Sequence, residues 1–175
     1  MYFYHGTTEI IKDIDFEKCR LRTDFGRGFY LSSKLATARI WAIGKAGFSG
    51  VPTIMRYDVD KDIWSDKTLH TLRFDSTTEQ WLNFVRDNRQ SKPHNNIEPR
   101  HTYDVVSGPI ADDKVVDVVD LYCMNKISAV EAIKRAKALP SVFQMSLHTD
   151  SALKYIVGIM ISERKNNKWS EWRYI

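Results

Sequence analysis

The sequence predicts an α+β fold built around a mostly antiparallel sheet. Short segments rich in aromatic and β-branched residues alternate with amphipathic helical segments along a chain of 175 residues. Several of the strand-like segments are spaced as hairpins. No strand–helix–strand unit repeats at a regular spacing, which disfavours a doubly wound parallel sheet. The length is that of one domain, residues 1–175.

The first half of the chain predicts three strands and one helix. The strands are Tyr2–Tyr4, Gly28–Leu31 and Pro52–Val59. Ser33 is the expected N-cap of the helix, whose shared apolar face consists of Leu35, Ala38, Trp41 and Ala42.

The middle of the chain predicts a capped helix, a loop and a strand. Ser76-Thr77-Thr78-Glu79 has the pattern of a capping box, and the helix after it contains Trp81, Leu82, Phe84 and Val85. Residues Gln90 to Thr102 hold two prolines and no apolar periodicity, which predicts a loop. Tyr103–Val106 is the next strand, ended by Ser107-Gly108-Pro109.

The last third predicts two helices, a strand and a terminal hairpin. Asp112-Asp113 opens a helix that runs through Tyr122, with its acidic residues at the favourable N-terminal end. Ser128 caps a second helix that ends before Pro140. The strand Val142–Leu147 follows, and Tyr155–Ser162 pairs with Trp169–Tyr174 across Asn166-Asn167.

Composition excludes several classes of protein. The chain has 26 Lys and Arg against 22 Asp and Glu, a net charge of +4, which is mild for a nucleic-acid binder. No apolar run has the length of a membrane helix and no secretory signal is visible, so we expect a cytoplasmic protein without a membrane partner. Cys19 and Cys123 are too few for a disulfide framework or a zinc site. Asp104, Asp112 and Asp113 are the alternative carboxylate metal site, but helix capping explains the last two better, and we predict no metal.

The first segment with chemical potential is Tyr4-His5-Gly6-Thr7. A glycine after a histidine at a strand end leaves room for a ligand against the backbone. His5 and Thr7 can hydrogen-bond a ribose or an amide. The alternative is a surface histidine followed by a turn glycine.

The second segment runs from Asp24 to Ser33. Gly26 and Gly28 flank Arg27, and an aromatic strand follows. The spacing is not the dinucleotide fingerprint and lacks the Gly-Lys-Ser/Thr of a phosphate loop. Tyr30 offers a face for stacking a flat ring, and Arg27 is either a phosphate ligand or an ordinary surface charge. The alternative is a tight turn before a core strand, with Phe29 and Tyr30 on opposite faces.

The third segment is Val142 to Thr149. Gln144, Ser146 and His148 recur at period two, which puts three polar side chains on one face of a strand. The alternative is the polar face of a half-exposed sheet.

These three segments, in this order, resemble the signature of ADP-ribosyltransferases of the diphtheria-toxin and poly(ADP-ribose) polymerase type. Those enzymes carry a His, a Tyr in a Gly-x-Gly-x-Tyr strand, and commonly a Glu. The chain is similar, over residues 2–155, to an uncharacterised bacterial family within that superfamily. Its members share Tyr-His-Gly-Thr, Asp-Phe-Gly-Arg-Gly-Phe-Tyr-Leu, Tyr-Asp-Val-Val-x-Gly-Pro and Gln-x-x-x-His-Thr.

The resemblance implies a fold and a set of roles. The fold would be two small facing antiparallel sheets with peripheral helices and NAD in the cleft between them. His5, Tyr30 and Gln144 would be the catalytic residues: His5 bonds a ribose, Tyr30 stacks on nicotinamide and Gln144 replaces the glutamate. The backbone of Gly6 would clamp the nicotinamide carboxamide. The implied NAD site also includes Thr7, Asp24, Gly26, Arg27, Gly28, Ser32 and Ser33.

The activity implied is mono-ADP-ribosyl transfer from NAD to a protein or nucleic-acid acceptor, as in bacterial toxins with a cognate antitoxin or inhibitor protein. Neutral Gln144 supplies no full charge, and loss of such a partner costs about 10²–10³ in rate. Three interpretations stay open: transfer to an already nucleophilic acceptor, recruitment of Asp24 or Glu163 as the carboxylate, or binding without turnover. The alternatives to the enzyme are an NAD- or ADP-ribose-binding module and a plain interaction domain.

Overall fold

The computed structural model describes residues 1–89, 101–110, 113–137 and 142–175. Fourteen elements of regular structure stand in these ranges, besides short 3-10 turns at Phe16–Lys18 and Lys61–Trp64. The strands are β1 Tyr2–Thr7, β2 Phe29–Ser32, β3 Thr53–Val59, β4 Thr71–Arg73, β5 Val105–Pro109, β6 Phe143–Leu147, β7 Ile156–Lys165, β8 Lys168–Trp169 and β9 Arg173–Tyr174. The helices are α1 Leu35–Ala46, α2 Glu79–Arg89, α3 Asp113–Cys123, α4 Ala129–Lys137 and α5 Asp150–Leu153.

The strands form one mixed sheet, in the order β4-β5-β6-β2-β1-β3-β7-β8, with β9 also paired to β7. All pairs are antiparallel except β4 with β5. The α+β class is therefore confirmed. The expected pair of separate sheets is wrong, because the pairing of Tyr4 with Ser32 joins β1 to β2.

That join is narrow and divides the sheet into two parts. β1 and β2 pair only at Tyr4 and Ser32, whereas β1 pairs with β3 from Tyr2 to Thr7 and β2 pairs with β6 along its whole length. We call β4-β5-β6-β2 the first half-sheet and β1-β3-β7-β8-β9 the second half-sheet. The gap in pairing beyond Tyr4 and Ser32 lies between the two middle strands of the sheet.

Apolar packing covers both faces of the sheet. One face of the first half-sheet packs under α2, α3 and α4, around Phe25, Trp81, Leu82, Val85 and Val119. On the same face of the second half-sheet, Ala38 and Ala42 of α1 pack on Ile54. The opposite face buries Phe29, Leu31, Met55, Tyr57, Met145 and Leu147.

One predicted helix cap is confirmed and two are shifted. Ser128 caps α4, since its Oγ accepts from Glu131 N at 3.3 Å. The cap of α2 is Thr78 and not Ser76: Thr78 Oγ1 accepts from Trp81 N at 3.2 Å. Both hydroxyl residues fit the sequence pattern, and only the backbone geometry selects between them.

The helix α1 departs from its prediction at both its cap and its buried face. Its N-cap is Lys34, which makes no side-chain cap bond, so the Ser33 cap is wrong. The buried residues are Ala38, Ala42 and Ala46, while Trp41 is 37% exposed. Small side chains face the sheet because the helix packs very close to β1.

The C-terminal hairpin is confirmed. Asn166 and Asn167 both have positive φ, 50° and 62°, between β7 and β8. Two-residue hairpin turns need this conformation, and Asn tolerates it well. Most of the predicted loop Gln90 to Thr102, the residue Asp112 and the helix end near Pro140 lie outside the described residues. In the described part of the chain, no helix has the length and apolar character needed to cross a membrane.

Candidate functional site

The three predicted segments meet on three neighbouring strands. β6, β2 and β1 are adjacent in the sheet, with Ser146 opposite Tyr30, Gln144 opposite Ser32, and Ser32 opposite Tyr4. Residues more than 100 positions apart in the sequence thus lie on adjacent strands in the middle of the sheet.

His5 spans the gap between the half-sheets. Its Nδ1 lies 2.8 Å from the carbonyl oxygen of Tyr30 and its ring stacks on Phe29 at 4.7 Å between centroids. A carbonyl only accepts, so Nδ1 carries the proton and Nε2 is left as an acceptor. Burial lowers the pKa of His5 from 6.5 to about 4, which makes the imidazole neutral at pH 7.

Gly6 is required by the packing of α1. A Cβ at this position would lie 2.2 Å from the carbonyl oxygen of Ala38 and 2.7 Å from the amide nitrogen of Ala42. The expected open space beside its α-carbon is therefore wrong, since the helix fills it.

The backbone edge of Gly6 nevertheless faces the gap. Val59 N donates to Met1 O, so Met1, Phe3, His5 and Thr7 direct their amides and carbonyls toward β3. The amide and carbonyl of Gly6 consequently point toward β2, beyond the point where β1 and β2 pair. This edge is the one feature of Gly6 that suits a ligand amide.

The hydroxyl groups near the gap make local bonds. Thr7 Oγ1 accepts from Glu9 N at 3.2 Å. Ser32 is buried, and its Oγ accepts from Lys34 N and donates to Lys34 O. Ser33 is exposed and its amide bonds Phe143 O. These residues shape the ends of β1 and β2.

The turn before β2 is held by the hydroxyl of Tyr30. It accepts from Phe25 N and from Thr23 Oγ1 and donates to Gly26 O, each at 2.8 Å. Gly26 has φ 76°, a value that favours glycine. Burial raises the pKa of Tyr30, so the phenol stays protonated. The ring stacks on Phe25 at 6.2 Å between centroids, so one of its faces is already covered.

Gln144 and Asp24 are joined in a buried network. Gln144 Nε2 donates to Asp24 Oδ2 at 2.8 Å, and Asp24 Oδ1 accepts from Arg89 Nε at 2.9 Å and Arg89 Nη2 at 2.5 Å. Asp24 and Gln144 are 8% and 3% exposed. Because the amide nitrogen of Gln144 is committed to Asp24, its Oε1 is the end directed away from that carboxylate.

Glu163, the other carboxylate considered, lies elsewhere. It is on β7, separated from β2 by β1 and β3, and it pairs with Arg173 and Lys165. Among the described residues, Asp24 is therefore the carboxylate next to residue 144.

Arg27 is engaged by an acidic partner. Its Nη1 lies 2.9 Å from Glu17 Oε2 and its Nη2 donates to Glu17 O at 3.2 Å. A phosphate ligand at this position would compete with Glu17. The neighbouring Gly28 leaves space for His148, whose ring atoms lie 2.6 Å from where a Cβ would stand.

Two histidines, His148 and His101, hydrogen-bond the turn before β2. The sequence singled out His148 but not His101. His148 Nδ1 donates to Arg27 O at 2.7 Å, and its Nε2 accepts from Ser146 Oγ at 2.8 Å. His101 Nε2 donates to Phe25 O at 2.8 Å. Burial lowers the pKa of His148 to about 4 and also lowers that of His101. His101 and Arg89 stand in no recognisable motif, so the sequence carries no signal for them.

Two further places were considered as sites: the carboxylate of Asp104 and one surface depression. Asp104 accepts from His70 N and from Thr149 Oγ1, and the described residues contain no group of three His, Cys, Asp or Glu side chains suited to a metal. A surface depression of about 320 Å³ is lined by Lys12, Asp13, Ile14, Leu153, Ile156 and Ile159, none of which is a predicted site residue.

Comparison with known families places the chain. The family described as "Protein of unknown function (DUF3990)" matches residues 1–157. The chain belongs to the DUF3990 family. The match covers all three segments of the site and ends within β7, before the C-terminal hairpin turn. No curated protein and no solved structure matches the sequence.

Proposed function

We propose that this DUF3990 protein is an NAD-dependent mono-ADP-ribosyltransferase. The observation that carries the proposal is the meeting of the His5, Tyr30 and Gln144 segments on adjacent strands, beside a gap in the pairing of the sheet. The sequence resemblance singles out the same three segments.

The gap offers suitable groups for the nicotinamide ribose half of NAD. The amide and carbonyl of Gly6 would bond the carboxamide, and Nε2 of neutral His5 would accept from a ribose hydroxyl. A protonated imidazole could not accept, so the lowered pKa of His5 suits this role.

Asp24 and Gln144 would together replace the usual glutamate. Oε1 of Gln144 would accept from the 2′-hydroxyl, and the carboxylate of Asp24 polarises the amide through the 2.8 Å hydrogen bond. The bond from nicotinamide to C1′ breaks with its electron pair leaving on nicotinamide. The acceptor then supplies the pair for the new bond to C1′ and loses its proton. Negative charge behind Gln144 would stabilise the cationic ribose between these events.

A specific observation also favours the second candidate, an NAD- or ADP-ribose-binding module without turnover. Arg89 makes two hydrogen bonds to Asp24 Oδ1 and neutralises much of its charge. A site whose nearby carboxylate, Asp24, is paired with an arginine would bind the dinucleotide and stabilise the transition state weakly.

The acceptor and the biology are part of the same proposal. We propose a protein or nucleic-acid acceptor, and a bacterial toxin that a cognate antitoxin or inhibitor protein keeps in check. These follow from the resemblance alone.

Two measurements separate the candidates. A thermal-shift titration with NAD should raise the melting temperature, and a nicotinamide-release assay with cell extract as acceptor should show turnover. A shift without release would favour the binding module. The absence of both the shift and the release would exclude both candidate functions.

An exchange of the two polar groups tests the mechanism directly. In Gln144→Glu alone, two carboxylates would meet at hydrogen-bonding distance and share a proton, which blunts the gain. In Asp24→Asn with Gln144→Glu, the amide donates to a full carboxylate at residue 144, and NAD hydrolysis should rise by about 10²-fold. The control Glu163→Gln should leave hydrolysis unchanged. Equal hydrolysis by the exchanged and parent proteins would remove residue 144 from the ribose.

A further inference from the structure

Two stretches of the chain hold an excess of positive charge and lie side by side. Residues 25–57 and 158–175 together contain nine Lys and Arg, two Glu and no Asp. The rest of the chain has 17 basic and 20 acidic residues, so the excess is confined to these stretches. They meet through the pairing of β3 with β7 and through the contacts of α1 with Trp169 and Trp172.

Arginines and aromatic rings alternate where the two stretches meet. The guanidinium of Arg56 lies 4.5 Å from the ring centroid of Tyr2 and 5.6 Å from that of Trp172. Arg39 lies 5.6 Å from the centroid of Trp169, and Tyr4 lies 6.2 Å from Trp172. We call Tyr2, Tyr4, Arg39, Arg56, Trp169 and Trp172 the aromatic–arginine surface.

This surface is exposed to solvent, and its arginines form no ion pair with a carboxylate of the described residues. Tyr2 is 56% exposed, Arg39 is exposed, and both tryptophans are partly exposed. Within the part of the chain that the structure describes, no ion pair involves Arg39, Arg56, Arg164 or Lys168. Lys165 and Arg173 share Glu163. Unpaired cations beside flat rings match a partner that is both anionic and flat.

We propose that the aromatic–arginine surface binds single-stranded nucleic acid. Bases stack on aromatic rings and on guanidinium planes, and the flanking Arg164 and Lys168 bind phosphates. Only an unpaired strand presents its base faces, so single strands are preferred over duplex. An acidic peptide or an anionic membrane would use the charges but not the stacked rings.

The surface is one helix away from the proposed NAD site. The outer side of the surface includes Arg39 of α1, while the inner side of α1 packs against Gly6. The nucleic acid would then be the ADP-ribose acceptor, a link that rests on the proposed transferase function. Tyr2, Tyr4, Arg39 and Arg56 lie within the residues that the family matches, and Trp169 and Trp172 lie beyond them.

Fluorescence anisotropy with the full chain tests the binding without NAD. The probe is a fluorescein-labelled single-stranded RNA of about 15 nucleotides, with the same sequence as single-stranded DNA and as duplex RNA for comparison. Both single strands should bind, and the duplex should bind at least tenfold more weakly. Because NAD is absent, failure of binding and failure of transferase activity are scored separately.

Charge variants locate the phosphate contacts. Arg164→Gln with Lys168→Gln should reduce the slope of log affinity against log salt by about 1.4 for two lost contacts. Lys134→Gln with Lys137→Gln on α4 removes the same charge from another exposed surface and should leave the slope unchanged. An equal change in both pairs would show attraction by net charge alone and would overturn the proposal.

Ring variants test the stacking. Tyr2→Leu should weaken RNA binding about tenfold, and Tyr2→Phe should retain it, because the ring and not the hydroxyl is used. Unchanged binding by Tyr2→Leu would refute the stacking. So would competition by poly-glutamate or by phosphatidylserine vesicles as effective as that of unlabelled RNA.

Discussion

The two half-sheets use their polar residues in opposite ways. In the first half-sheet, the turn before β2 and the helix α2, Asp24 and Gln144 are buried, Tyr30 and Arg89 are half-buried, and all four are bonded to one another or to the backbone. On the second half-sheet and its helix α1, Arg39 and Arg56 lie over aromatic rings and form no ion pair with a carboxylate of the described residues. Buried polar groups must be paired to offset desolvation, whereas surface cations keep their hydration. The first region is thus suited to a rigid site and the second to a partner.

The largest contrast between the regions should come from removing one arginine in each. Arg89→Met removes the arginine that pairs with the buried carboxylate of Asp24, so we expect a loss of about 3 kcal/mol of unfolding free energy. The side chains of Arg89 and Asp24 are 20% and 10% exposed. Urea denaturation gives the value.

The matched change in the second half-sheet is Arg173→Met, whose side chain is 54% exposed and pairs with Glu163. A solvent-exposed ion pair contributes little to stability, so the loss of unfolding free energy should stay below about 0.5 kcal/mol. Equal losses at the two positions would show that burial does not distinguish the half-sheets.

Acid should act through the buried histidines. The pKa of His148 is lowered from 6.5 to about 4, so the unfolded chain binds its proton more readily than the folded chain. Stability is full above pH 6.5, falls as the pH drops toward 4, and loses up to about 3 kcal/mol through this residue. Urea titrations at pH 7 and pH 4.5 measure the loss.

The variant His148→Gln cannot titrate, so its stability should fall less between those two pH values. His5 titrates in the same range, and its contribution should remain in the variant. A variant with the same pH dependence as the parent would assign the acid sensitivity to other groups.

A further comparison concerns two tyrosine hydroxyls. Tyr30→Phe leaves Phe25 N–H without its acceptor and removes one of the two hydrogen bonds to Gly26 C=O, and we expect a loss of about 2 kcal/mol. Tyr57→Phe removes a long bond of 3.2 Å to Ile11 O and a weak contact of 3.4 Å with Met55 Sδ, and should cost about 1 kcal/mol or less. Thermal unfolding of the two variants ranks them, and the reverse ranking would contradict the anchoring role of Tyr30.

Local signals predicted the elements that depend on local physics. The Ser128 cap, the Asn166-Asn167 turn and the strand Phe143–Leu147 all follow from residue type and spacing. The order of the three site segments was also readable, and the fold places them on adjacent strands. The cap of α2 at Thr78 was missed because Ser76 fits the same pattern, and chain direction decides between them.

Long-range contacts produced the remaining errors. Gly6 was expected to face open space, but α1 approaches so closely that only a glycine fits. Arg89 and His101 reach Asp24 and the carbonyl of Phe25 across 65 and 76 residues, and no periodicity encodes such contacts. The joining of two expected sheets into one depends on the single pairing of Tyr4 with Ser32.

The sequence by itself determined the α+β class, most of the elements and the three segments with chemical potential, because propensity, capping and alternation act over a few residues. Tertiary structure alone decided that Gln144 donates to Asp24, that burial lowers the pKa of His5, and that dispersed cations form one surface with Trp169 and Trp172. Desolvation and charge pairing depend on which distant groups the fold brings within a few ångströms. The net charge of +4 does not reveal where those groups lie.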